Sequence, residues 1–230
     1  MKEGRDFAII YHINSHFADL QKDLSGIASF DEFVRAEERR RAILFDFLQI
    51  GELLNQLSNS FLKSFGSQDA TRIISIRNRI VHGYSTIRDD IIFAALKEEM
   101  PPFIQTLNDF ARQQYRGKAE KLLGKRVKVI VDRPIGFNHN GVLFPINYGY
   151  VSNLTALDGE FQDAYIVGLN KPASEISGTV IAIVRRQNDT EDKLVVAAET
   201  KDLTADEIEK AIDFQERFFV HSLLLPKKVS

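Results

Sequence analysis

Ile76-Arg77-Asn78-Arg79-Ile80-Val81-His82-Gly83-Tyr84 brings an arginine, a histidine and a tyrosine together where an amphipathic helix runs out, and the first half of the chain reads as its scaffold. At about 100° per residue, Arg77 and His82 lie roughly 140° apart on a regular helix, flanking one broad face. Gly83 is free to take the left-handed conformation that ends a helix, turning Tyr84 out beside His82. Histidine exchanges protons near neutrality, and a guanidinium suits a phosphate or phosphorane oxygen. Together they suffice for metal-independent RNA cleavage, with His82 moving the proton and Arg77 steadying charge on phosphorus. The same spacing also fits a plain reading, in which Arg77 makes a surface ion pair while His82 and Gly83 cap the helix.

Outward from this stretch the pattern is helical. Phe7, Ile10, Ile13, Phe17, Leu20 and Leu24 fall three and four apart, a single buried stripe. Ser29 with Glu32 has the form of a capping box and opens a long helix through Phe33, Ala36, Ile43, Phe47, Ile50, Leu54 and Leu57. Glu37-Glu38-Arg39-Arg40-Arg41 reads as a solvated, ion-paired face. His12 and His16, four apart, lack a nearby third ligand, which favours exposed or hydrogen-bonded histidines over a metal pair. Gly66-Ser67 ends the next segment, Asp69 starts the helix of the opening stretch, and Asp89-Asp90 caps another. Within that last helix Pro101-Pro102 removes two amide donors, which predicts a bend or break.

Composition shifts over Arg116 to Arg126, a charged stretch poor in core residues that reads as a linker. Strands follow at Val127–Val131, Ala164–Leu169, Thr179–Val184 and Leu194–Ala198, with a last helix from Thr204 to about Phe219. The expected organisation is α+β in two domains: a helical bundle over 1–116, a linker over 117–125, and a small β-barrel with one helix over 126–230. A net charge of −2 excludes attachment to nucleic acid by bulk charge, so any RNA contact is local. The absence of cysteine excludes disulfides and thiolate metal sites. No signal-peptide pattern opens the chain and no apolar run approaches the about 20 residues that span a bilayer, so a cytoplasmic protein with no membrane partner is expected.

The pattern Arg77-x4-His82-x-Tyr84, with Asn78 after the arginine, resembles the signature of HEPN domains of the HepT-like toxin family. The likeness extends over about residues 5 to 115 and includes Ile50-Gly51-Glu52-Leu53-Leu54. It implies an all-α HEPN bundle that forms a homodimer with facing motifs and an endoribonuclease toxin acting through Arg77 and His82, with Asn78 beside them. It further implies an MntA-type nucleotidyltransferase antitoxin as partner, with Tyr84 as the group it adenylylates.

A second dense motif lies in the other half. Leu157-Asp158-Gly159-Glu160-Phe161-Gln162-Asp163 places three carboxylates around a turn. Such a group raises its own pKa values unless a cation is present, and hard oxygen ligands suit Mg²⁺. An ordinary acidic loop fits the same residues. Phe144-Pro145-Ile146-Asn147-Tyr148-Gly149-Tyr150-Val151 followed by this turn resembles family I inorganic pyrophosphatase, over about residues 126 to 219. The resemblance implies an OB-like barrel, a substrate contact from Tyr148, and metal ligands at Asp158, Glu160 and Asp163. A later acid-rich turn, Asp189, Glu191 and Asp192 before Lys193, and Asp132 before Pro134, match further family positions, which implies that these acids are further metal ligands and Lys193 a second substrate contact.

The departures are Glu160 for aspartate, Phe161 for proline, and Phe218-Phe219 where the family has a Tyr-Lys pair. Each lost charged hydrogen bond to a phosphate costs about 1.5 to 3 kcal/mol. The expectation is therefore a Mg²⁺-binding, pyrophosphatase-like domain of low or altered activity. The alternative for the whole chain is a Mg²⁺-dependent inorganic pyrophosphatase whose helical half only dimerises it.

Overall fold

The computed structural model describes residues 2–66, 68–82, 89–187, 189, 191–198 and 203–226, with 2, 3 and 82 described by backbone only. Two compact units divide the chain, Met1–Arg112 and Gln113–Ser230.

In the first unit, α1 (Lys2–Leu24) buries the predicted stripe at Phe7, Ile10, Ile13, Leu20 and Leu24. Its main neighbour is α3 (Glu37–Gln56), which answers with Ile43, Phe47, Ile50 and Leu54. The carboxylate of Asp6 accepts from the Ser58 amide at 2.8 Å and its hydroxyl at 2.7 Å. That fixes the start of α4 (Asn59–Phe65), which Gly66 ends at φ 67. Ser29 and Glu32 form the capping box, but the helix they open is short: α2 (Phe30–Arg35) stops at Ala36, whose ψ of 61 turns the chain before α3 begins. The single long helix expected here is thus two. No glycine or proline marks the break; it accompanies burial of Phe33, whose ring centroid lies 5.3 Å from that of Phe93.

After α5 (Gln68–His82) comes α6 (Asp89–Ala94), one π-helical stretch over Ala95–Glu99, and α7 (Met100–Glu120). Pro101 and Pro102 fall in the first turn of α7, where missing amides cost least. The Met100 amide reaches back to the Ala95 carbonyl, so the prolines are absorbed by a widened turn and the chain stays helical. Phe61, Phe65, Phe103 and Phe110 cluster around this packing, with Phe110 centroids 5.2 and 5.3 Å from Phe61 and Phe65. Among the described residues no helix is long and apolar enough to cross a membrane.

The second unit takes the end of α7, helical as far as Glu120, and then a barrel. Its strands are β1 (Arg126–Arg133), β4 (Asn147–Thr155), β5 (Phe161–Val167), β6 (Glu175–Arg186) and β7 (Lys193–Ala197). They run in the order β1-β4-β5-β7-β6, and pairing of β1 with β6 closes the ring. Among the described residues only β5 and β7 pair in parallel; the other neighbours are antiparallel. A small hairpin, β2 (Asn138–His139) with β3 (Val142–Leu143), precedes β4. Helix α8 (Ala205–Glu216), boxed by Thr204 and Glu207, ends before the predicted Phe219, and β8 (His221–Leu224) then adds to β6.

Alternate strand residues enter two apolar layers. One holds Val129, Ile166, Val180 and Val196, and the other packs Tyr148, Tyr165 and Val195 with Ile208 and Ile212 of α8. Strand β4 was not anticipated, since Gly149 and polar residues mask it. The glycine is required there, because a Cβ would sit 1.9 Å from the Ile130 carbonyl oxygen.

Candidate functional sites

Arg77 lies on the inner flank of α5, where that helix crosses α3 at Gly51. A Cβ on Gly51 would fall 2.7 Å from Arg77 Cβ and 2.8 Å from its Cγ, so the arginine stem lies flat over the glycine. Beyond the notch, Arg77 Nη2 donates to Glu52 Oε2 and Nη1 donates to Asn78 Oδ1, the latter at 2.8 Å. The Arg77 side chain is 20% exposed, and its buried Nε has no hydrogen-bond partner among the described residues. The result is a guanidinium oriented by two acceptors, one on each Nη atom. His82 is the last residue of α5; its side chain and the whole of Tyr84 lie outside the described residues.

Gly51 and Glu52 belong to the Ile50–Leu54 stretch that carries the family likeness, but no role at the site follows for them from sequence, because the partner of Glu52 lies 25 positions away. The charge run at 37–41 is paired: Arg41 with Glu37, Arg40 with Asp89 at 2.9 Å, and Arg39 with the carbonyls of Asp23 and Ser25. His16 Nδ1 meets Asp46 at 2.8 Å, while His12 is exposed.

On the barrel, Asp132 and Arg133 of β1, Tyr150 of β4, Asp158 and Glu160 of the β4–β5 turn, and Phe161 and Asp163 of β5 line a cleft of about 420 Å³. The turn is shaped by Gly159 at φ 88 and by Asp158 Oδ1, which accepts the Glu160 amide at 2.9 Å. Asp163 Oδ2 accepts from the Tyr148 hydroxyl at 2.5 Å and from Lys193 Nζ at 2.6 Å, and the same ammonium reaches Glu191. Burial first, and then the neighbouring Asp158 carboxyl, hold the Glu191 carboxyl above its ordinary range, against the pull of Lys193. Asp132 is also raised, by burial first and by the Asp163 charge, against the pull of Arg133. Tyr148 is raised by burial and by Asp163, which keeps its phenol a donor.

Asp189 and Asp192 face elsewhere. Asp189 accepts from Arg186 Nη1 at 2.7 Å. Buried Asp192 takes Nε and Nη2 of Arg116 at 3.0 and 3.2 Å. The carboxylates are of the type Mg²⁺ prefers, but among the described residues no three His, Asp or Glu are placed to hold one ion. Lys193 instead supplies the positive charge between Asp163 and Glu191.

Comparison with known proteins follows the division into units. Residues 13–110 match the family model described as HepT-like, Ribonuclease HepT-like. The Methanocaldococcus jannaschii protein MJ0127, provisionally named an RNase, is 22% identical over 105 residues, 46% of this chain and 86% of that protein. Among solved structures, the inorganic pyrophosphatase of Ehrlichia chaffeensis is 13% identical, covering 45% of this chain and 87% of its own at a TM-score of 0.38. That of Neisseria gonorrhoeae is 18% identical, covering 40% and 72% at 0.33.

Proposed function

With a HepT-like ribonuclease model matching residues 13–110, we propose that this protein is an endoribonuclease toxin of a toxin–antitoxin system that cleaves RNA without a metal ion. Arg77 stabilises the charge developing on the scissile phosphate, Asn78 steadies that arginine, and His82 transfers the proton. Two such motifs face one another in a cytoplasmic homodimer. An MntA-type nucleotidyltransferase silences the site by adenylylating Tyr84. The observation that carries the reading is the restrained guanidinium: Arg77 is held by Glu52 and Asn78 over Gly51, inside the matched region.

Induced expression tests it, together with cleavage of a labelled RNA in EDTA. Arg77→Ala and His82→Ala are expected to abolish toxicity and to slow cleavage by about 10² to 10⁴-fold, while Asp158→Asn retains both. The reverse pattern supports the phosphohydrolase reading, in which the helical unit only dimerises the chain.

For the barrel the reading is a Mg²⁺-responsive acidic pocket of low or altered pyrophosphatase activity. Supporting it are four carboxylates on one cleft, Asp132, Asp158, Glu160 and Asp163. Because Tyr148 and Lys193 already satisfy Asp163, calorimetric titration with MgCl₂ is expected to give weak binding. Micromolar affinity, or phosphate release at the rate of a housekeeping pyrophosphatase, would refute that.

A further inference from the structure

We propose that Glu52 is a positioning residue of the ribonuclease site, acting on the reaction only through Arg77. The inference rests on the nuclease reading and extends it to a helix outside the motif.

Three observations converge on one side chain. Glu52 Oε2 accepts from Arg77 Nη2, and its other oxygen, Oε1, accepts from Gln56 Nε2 at 3.4 Å one turn along α3. The carboxylate thus meets Arg77 on one oxygen and, at longer range, Gln56 on the other. Gly51, the preceding residue, lets the Arg77 stem approach so closely that even a methyl group would collide with it. On the far side Asn78 takes Nη1 at 2.8 Å.

A free arginine side chain samples many rotamers. Here the stem is confined by the α3 backbone and the fork by acceptors on both Nη atoms, so the planar donor is set before substrate arrives. Such preorganisation counts in the rate, because misplacing a catalytic group by about 1 Å costs up to about 10²-fold. The partial exposure of the pair, 39% for Glu52 and 20% for Arg77, leaves it open to an incoming phosphate.

The test measures RNA cleavage and thermal melting of the full chain carrying Glu52→Ala or Glu52→Gln, each alone and combined with Arg77→Ala. Glu52→Ala is expected to lower kcat by about 10- to 100-fold with KM changed less than about 3-fold. Glu52→Gln, which keeps an acceptor, recovers most of that loss. In the Arg77→Ala background neither substitution lowers the rate further. An equal loss in both backgrounds assigns Glu52 a merely structural role and overturns the proposal. A rate that rises in Glu52→Gln also overturns it, since the carboxylate then restrains Arg77 from substrate.

If the wild-type protein does not cleave RNA, the nuclease reading fails separately. The restraint is then read from the Arg77 Nε–Hε resonance in ¹⁵N-arginine-labelled protein. A resolved signal lost in Glu52→Ala upholds the restraint, and an unchanged one overturns it.

Discussion

Replacing Gly51 by alanine sets two effects of opposite sign against each other. In an exposed helix the change stabilises, since alanine is favoured over glycine by about 1 kcal/mol. At Gly51 the new methyl would stand 2.7 and 2.8 Å from Arg77 Cβ and Cγ. Carbon atoms rest about 3.5 to 4.0 Å apart, so α3 and α5 must separate by roughly 1 Å. Overpacking of this kind costs about 1 to 3 kcal/mol. The net expectation is a loss of about 0 to 2 kcal/mol, accompanied by a fall in RNA cleavage, because Arg77 moves with α5. Gly117 of α7, with nothing within 4 Å of its ideal Cβ, is the control, and Gly117→Ala should stabilise by up to about 1 kcal/mol. Urea titration followed by circular dichroism at 222 nm, with cleavage rates measured in parallel, reads both. Should Gly51→Ala stabilise as much as Gly117→Ala and cleave RNA at the wild-type rate, the close approach of the two helices is disproved.

The barrel supplies further tests. Arg186 is 3% exposed and spans Glu216 at 2.6 and 3.0 Å, so Glu216→Ala should destabilise this unit by about 3 to 5 kcal/mol in denaturant melts. Gly149→Ala sets a Cβ 1.9 Å from the Ile130 carbonyl oxygen and should abolish β1–β4 pairing, seen as collapse of the near-ultraviolet tyrosine signal. Burial pulls the His221 pKa down, but hydrogen bonds to Glu209 and the Phe219 carbonyl outweigh it and raise the folded value. Its stabilisation is therefore complete below the unfolded pKa of about 6.5 and lost as pH rises through the folded value. The melting-temperature gap between wild type and His221→Gln should shrink from pH 5.5 to 8.5, and a gap that widens refutes the assignment.

Local chemistry was legible in the sequence where neighbours along the chain decide the outcome. The stripe of α1, the boxes at Ser29 and Thr204, and the left-handed stop at Gly66 are all written within four residues. The turn at Ala36 was not, since burial of Phe33 beside Phe93 is a tertiary event with no breaker residue. Strand β4 eluded a reading based on apolar alternation because its register is imposed by β1 and β5 on either side. Among the candidate site residues, the acidity of the second half was plain, but which cation each carboxylate meets was not. Arg116 takes Asp192 from 76 positions away, and Glu52 reaches Arg77 across 25. Pairings at that range depend on helix packing and barrel closure, which no window of sequence contains.

The ring of strands also bears on how the molecule is made. Strand β1 finds its second neighbour only in β6, about fifty positions later. At a translation rate of about 5 to 20 residues per second, a nascent chain carries an open β1 edge for roughly 2.5 to 10 s. On a crowded polysome that edge is a template for the same segment of an adjacent nascent chain. Codon choice and chaperone occupancy between these two strands should therefore influence the yield of native protein.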